Sequence, residues 1–226
     1  MKLKYFLPFL VLIFFNIFPA MAVETVEPAE AQIWAKNKGE EILRILSSQD
    51  LEYKYKSLDQ IMENDIDLDH AARFVVGKYW RQMTEDQRQK YVPLFKKYLS
   101  NAYKSFPLNL EKGAVDFKIE KALKSSAGTD VFCTIFIKKI EQSVDEKSKG
   151  GIHVIFTLTK NNQKIQVRDL KIEESSLLMS LRDRFYKMIH VDSDDEIDWF
   201  LEDFSTLVDD TEEKNEQTLY DFTHKM

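Results

Sequence analysis

The chain has 226 residues, 44% hydrophobic and 31% charged, with a formal net charge of −6 and a single cysteine. One cysteine excludes a small disulfide-stapled scaffold, so stability has to come from a hydrophobic core. Residues 192–216 carry twelve carboxylates and one lysine, and no other stretch offers the concentrated basic face that nucleic acid requires.

Met1-Lys2-Leu3-Lys4 is a positive start, Phe6 to Phe18 is almost wholly apolar, and Pro19-Ala20-Met21-Ala22 supplies an A-x-A site. Together they read as a secretory signal peptide cleaved after Ala22. The apolar run contains Pro8 and Asn16 and falls short of the roughly 20 residues a membrane span needs. Beyond a short lead-in, Pro28 opens a helix carrying Ile33, Trp34, Ile42, Leu43 and Leu46. A second helix is expected over Leu51 to Met62, and a third over Leu68 to Val76, ended by Gly77. Thr84-Glu85-Asp86-Gln87 is a capping box. The helix it starts carries Tyr91, Phe95, Tyr98, Leu99, Ala102 and Tyr103 on one side, with a kink expected at Pro93.

The period then changes from helical to alternating. Val115, Phe117 and Ile119 mark a half-buried strand, Val131 to Ile137 a strand apolar on both faces, and Ile152 to Leu158 a third. Lys160-Asn161-Asn162-Gln163 reads as a tight turn into a fourth strand, Lys164 to Ile172. Its apolar phase slips between Val167 and Leu170, as at a bulge. Two helices follow, one carrying Leu177, Leu178, Leu181, Phe185, Met188 and Ile189, the other Ile197, Phe200, Leu201, Phe204 and Val208. The expected fold is therefore α+β: an antiparallel four-stranded twisted sheet packed with N- and C-terminal helices. Residues 1–22 are the signal peptide, 23–210 a single α+β domain, and 211–226 a polar, frayed C-terminal tail.

No catalytic or metal motif stands out. Asp65-Ile-Asp67-Leu-Asp69 begins like a calcium loop, but His70 and Val76 occupy the positions needing glycine and glutamate. No zinc-protease spacing, nucleophile elbow, P-loop or dinucleotide fingerprint is present. Cys133 lies in an apolar strand and reads as a buried thiol. The strand Val131 to Ile137 calls for cover on both faces. Periodicity alone favours a filled core and leaves an apolar ligand cavity open.

"ARFVVGKYWRQMTEDQRQKYVPLFKKYL", Ala72 to Leu99, resembles the signature of the MlaC (toluene-tolerance, auxiliary transport protein) family, with its G-[RK]-Y-W-R and capped T-x-x-Q-R. "VRDLKIEESSLLMSLRDRF", Val167 to Phe185, and "EIDWFLEDF" resemble two further family segments. Glu174 and Trp199 stand where glycine is common, Leu181 where an aromatic is common, and Pro93 is unusual.

The resemblance implies a periplasmic, non-enzymatic phospholipid carrier with an apolar ligand cavity in the 23–210 domain and no cofactor. Its partners would be an inner-membrane ATP-driven lipid transporter and an outer-membrane lipoprotein–porin complex, between which it would help maintain outer-membrane lipid asymmetry. The cavity wall or its backing is then expected from Phe74, Val75, Tyr79, Trp80, Phe95, Leu99 and Tyr103 on the helices. Phe132, Val154, Phe156 and Val167 would contribute from the sheet, and Leu177, Leu181 and Phe185 from the following helix. Lys78, Arg81 and Arg168 are candidates for a phosphate at the mouth. Another hydrophobic ligand (a hopanoid, a sterol-like lipid or an aromatic solvent) and a periplasmic enzyme are the alternative readings.

Protein recovered from the periplasm should have an intact mass beginning at Val23. Full-length chain in the membrane fraction would contradict the export reading.

Overall fold

The computed structural model describes residues 24–105, 111, 113–138, 150–161 and 163–224. The expected signal peptide lies outside them. Helices α1 (Pro28–Leu46), α2 (Leu51–Asp65), α3 (Leu68–Val76), α4 (Lys78–Gln82) and α5 (Glu85–Lys104) precede the sheet, and α6 (Leu177–Lys187) and α7 (Ile197–His224) follow it. Local chemistry sets their starts. Pro28 occupies the first turn of α1, where its missing N–H costs nothing. Asp50, Asp67 and Ser176 accept from backbone N–H groups of the first turns of α2, α3 and α6. The Thr84–Gln87 capping box is formed in both directions. Pro93 lies on the exposed side of α5, which runs on through it. Gly77, at φ +50°, turns the chain from α3 into α4, where an added Cβ would meet Tyr186 Oη at 2.7 Å.

The sheet has six strands, not four. The four long ones, β2 (Val115–Ser125), β3 (Gly128–Ile137), β4 (Ile152–Asn161) and β5 (Lys164–Ile172), form the expected antiparallel meander. Two-residue strands β1 (Glu24–Thr25) and β6 (Ser175–Ser176) add to β4 and β5. Segments that short carry no alternation for a sequence reading to detect. The expected bulge is present in β5: Thr157 pairs with Asp169 and Leu158 with Val167, so Arg168 is the extra residue. In an unbroken strand Val167 and Leu170 would point to opposite faces; the bulge returns both to the inner one.

Burial divides into two clusters. The larger is helical and aromatic, built from α3 to α7 around Tyr91, Phe95, Phe185, Phe200 and Phe204, all fully buried. Phe200 and Phe204 stack at 5.5 Å, Phe185 meets Phe204 edge-on at 5.2 Å, and the Tyr91 hydroxyl donates to the Ala72 carbonyl at 3.0 Å. The smaller joins α1 to the sheet through Ala31, Ala35, Val131 and Leu158. The helices with the principal sheet contacts, α1, α2 and α6, all lie on its inner face. The apolar character of both faces of β3 therefore does not mean two covering layers. On the outer face Phe132 is half-buried under the Lys121 side chain, whose ammonium sits 4.8 Å from the ring centroid.

The carboxyl-terminal boundary also differs from expectation. Residues 211–224 continue α7 instead of fraying, and Glu212 and Asn215 hold the first part of this stretch to α5. Asn215 is buried and donates to the Asn101 carbonyl at 3.1 Å, Asn101 donates to Val208 O at 3.0 Å, and Lys97 pairs with Glu212 at 2.6 Å. These contacts are polar, so hydropathy does not report them. Truncation after Asp210 should lower the thermal midpoint by roughly 4–8 °C, the equivalent of about 2 kcal/mol in a chain of this size, measured by thermal denaturation of the purified protein.

Helix α2 is held to α5 largely by one carboxylate. Asp59 accepts from Ser100 Oγ at 2.6 Å and from the Tyr103 hydroxyl, and pairs with Lys104 at 2.9 Å. Burial raises its pKa, but these donors outweigh burial and hold it below the ordinary 3.8. Stability from this group is present above that value and lost as pH falls through the lower folded one. Asp59→Asn should melt below wild type at neutral pH, with the gap closing as the pH drops below about 4.

Candidate functional site

An apolar pocket of about 390 Å³ lies between the inner face of the sheet and helices α1, α2 and α6. Val115, Phe117 and Ile119 of β2, Cys133 and Ile135 of β3, Phe156 of β4, and Val167 and Leu170 of β5 form its sheet wall. Opposite stand Trp34, Ala35, Ile42 and Leu43 of α1, Ile61 and Met62 of α2, and Leu177, Leu178 and Leu181 of α6, and Ile66, Ala71 and Leu99 add to the lining. Gly39 permits the close approach of α1 to β2, since an added Cβ would fall 2.5 Å from the Phe117 ring.

Charge appears at only a few points. Lys38 Nζ lies 2.7 Å from Asp65 and 2.6 Å from Glu41, tying α1 to α2 at the pocket wall. Burial pulls the Lys38 pKa down, but the two carboxylates outweigh it and keep the ammonium charged. Arg168 and Asp169 also reach the lining. The thiol of Cys133 is pushed up to about 11 by burial and by Glu120, which leaves it protonated and a poor nucleophile at neutral pH. No group of three or more metal-ligating side chains occurs among the described residues.

Of the residues expected at a cavity, Leu99, Phe156, Val167, Leu177 and Leu181 line this pocket, as does Arg168 from the expected mouth. The others lie elsewhere. Phe74, Val75, Tyr79, Trp80, Phe95 and Phe185 belong to the helical core. Tyr79 donates to Asp195, which also meets His190 at 2.8 Å, so this tyrosine anchors the turn between α6 and α7. The guanidinium groups of Arg73 and Arg88 lie over the Trp80 ring, at 5.5 and 5.1 Å from its centroid. Tyr103 belongs to the Asp59 clamp. Val154 is buried on the inner face beside the pocket, outside its lining, and Phe132 faces the other way. Lys78, over the Tyr79 ring at 4.7 Å, and Arg81 are exposed on the α4 corner, away from the lining. The physical reason is common to most of these: a dense aromatic run at a helix corner packs into whichever core its helices share, and sequence spacing does not distinguish core from pocket. The α1, α2, β2 and β3 contributions were missed as site residues because their regular periodicity is equally that of a filled core.

The departure at Glu174 has a local cost. Glu173 and Glu174 sit at φ +47° and +69°, in the left-handed region that favours glycine. The turn that leads β5 into α6, and so positions Leu177 and Leu178, is thus made by two side-chain-bearing residues.

Comparison with known proteins places this geometry in context. Residues 36–204 match the family model described as MlaC protein. The structure of the phospholipid-binding protein from Ralstonia solanacearum, in complex with a phospholipid, superposes with a TM-score of 0.57 at 16% identity. That alignment covers 84% of this chain and 98% of the other. No curated protein gives a significant match. At this identity the structural likeness speaks for the fold; the family match, spanning the helical corner, the sheet and the start of α7, speaks for descent. The chain belongs to the MlaC family.

Proposed function

We propose that the protein is an exported carrier that binds a phospholipid by its acyl chains in the apolar pocket and passes it between membrane-bound partners. The observation that carries this reading is the pocket itself, walled almost wholly by carbon. Protein interiors tolerate few voids larger than a water molecule. At about 24 cal/mol per Å³, leaving 390 Å³ unfilled would forgo at most roughly 9 kcal/mol of packing. That is comparable to the whole net stability of a domain, about 5–15 kcal/mol. An apolar occupant recovers that loss. In the other direction, each methylene removed from water is worth about 0.8 kcal/mol, so two chains of about 30 methylenes carry roughly 24 kcal/mol of exposure cost. The carrier has to offer a comparably dry environment.

The structural neighbour described as phospholipid-binding supports phospholipid as the ligand class. Family membership supports carriage over catalysis, and the protonated, buried Cys133 agrees with that reading. The expected compartment is the periplasm. The expected partners are an inner-membrane ATP-driven lipid transporter and an outer-membrane lipoprotein–porin complex, with energy for directed transfer supplied from outside this chain.

The test separates pocket from core. Val167→Trp, whose ring would enter the pocket, should deplete co-purified phospholipid, quantified by mass spectrometry of the extract, while the ligand-free protein melts within a few degrees of wild type. Leu201→Trp, in the helical core, should lose stability first, since overpacking there costs about 1–3 kcal/mol. Val154→Trp should behave like Leu201→Trp. If Val167→Trp keeps its full lipid complement, the pocket is not the binding site.

A further inference from the structure

The two ends of α6 have different surroundings. Leu177, Leu178 and Leu181 at its start line the apolar pocket, while Arg184 and Lys187 at its end wall a second cleft, of about 370 Å³, against α7. The helix has 11 residues and so a length of about 16 Å, which sets this cleft apart from the lipid pocket. Met188, Phe200 and Leu207 give it an apolar surface, and Asp192, Ser193 and Asp203 complete the lining. Ser193 is 3% exposed, and its hydroxyl has no hydrogen-bond partner among the described residues. A buried hydroxyl left in that state is costly, and it offers both a donor and an acceptor to a group that enters the cleft.

The turn beside the cleft is strained and held in place. Helix α6 runs into one turn of π-helix, Met188–Asp192, and Asp194 and Asp195 follow at φ +55° and +64°, in the left-handed region. Asp195 N–H donates to Ile189 O at 2.9 Å, Glu196 N–H donates to Ser193 O at 2.8 Å, and the Tyr79 hydroxyl donates to the Asp195 carboxylate. This turn presents Val191, 65% exposed; Trp199, 60% exposed, stands one turn before Asp203 on the same flank of α7. Of the twelve carboxylates in residues 192–216, only Asp192, Asp195, Asp198 and Glu212 meet a side-chain donor among the described residues. On the facing wall Lys187 is paired with Asp192 at 2.8 Å, and Arg184 lies over the Tyr98 ring at 5.4 Å. The α7 side of the cleft is therefore negative and the α6 side is not.

We propose that this elbow of α6 and α7 is a docking surface for a protein partner whose face is basic around a projecting apolar side chain. The apolar side chain enters the cleft, Trp199 packs beside it, and lysine or arginine groups of the partner lie along Asp203 and the free carboxylates of α7. This rests on the carrier reading above and adds to it a docking site that leaves the lipid pocket clear. An exposed aromatic anchor beside a cleft is where binding energy concentrates, and the complementary charge steers the encounter. The Arg184 wall turns the partner's cations toward α7 and so fixes the orientation. A bilayer is the poorer occupant, because anionic headgroups carry the same sign as α7.

The test measures binding of the mature protein to each of the two expected membrane complexes, held in nanodiscs of zwitterionic lipid, by biolayer interferometry at low and physiological salt. Wild type should bind at least one of them, more weakly as salt rises. Trp199→Ala and Asp203→Lys should each weaken that binding at least tenfold. Both side chains are exposed, so both variants should keep their co-purified lipid and melt within a few degrees of wild type. Glu216→Lys, further along α7 and outside the cleft, should change the affinity less than twofold. Wild-type affinity in both Trp199→Ala and Asp203→Lys would overturn the assignment. An equal loss in Glu216→Lys would also overturn it, by showing that the field of the whole helix acts and not this site. Adhesion of wild type to phosphatidylglycerol vesicles that Trp199→Ala abolishes would make a bilayer the occupant and refute the protein partner. If wild type carries lipid but binds neither complex, the partners expected of the carrier are wrong and this inference fails with them.

Discussion

The aromatic packing of α3, α5, α6 and α7 is the constraint on which the rest of the molecule depends. Tyr91, Phe95, Phe185, Phe200 and Phe204 are fully buried in contact with one another, and helices reaching from residue 68 to the carboxyl-terminal region meet there. This cluster supplies close-packed burial without calling on the inner face of the sheet. A sheet that had to stabilise the fold by itself would need that face filled. Here it is covered by α1, α2 and α6 at a distance that leaves a carbon-lined space.

Where the two halves join, polar contacts accompany apolar ones. Helix α2 is held by Asp59 to α5, by Asp65 to Lys38 of α1, and by the α2–α3 corner to β5. These are hydrogen bonds and ion pairs, each worth little compared with the aromatic cluster. The element closing one side of the pocket is therefore attached by these polar contacts together with its buried Tyr55.

The β5 bulge links fold to site. By inserting one residue it keeps Val167 and Leu170 on the pocket face and sets Arg168 at the rim, against His70 of α3. The phase slip that marks the bulge is visible in the sequence because a strand with one buried face must show its hydrophobic pattern shifting wherever its pairing shifts.

The sequence by itself determined the order and type of the elements. The Thr84–Gln87 box, the Gly77 turn, the alternation of β2 to β5 and the apolar stripes of α6 and α7 are local signals with local physical causes, and the structure contains each of those features. Its similarity to a known family was equally legible in the corner motif. What only the tertiary structure decided is which apolar faces meet each other and which meet a pocket. Tyr79, Trp80 and Phe95 read as cavity wall or its backing and lie in the helical core, while Trp34, Ile42, Phe117 and Ile135, which carry only helix and strand periodicity, line the pocket. Asn215 and Glu212 read as tail and proved to be contact. Periodicity reports only that a face avoids water; what that face packs against depends on residues that lie as much as a hundred positions away in the chain.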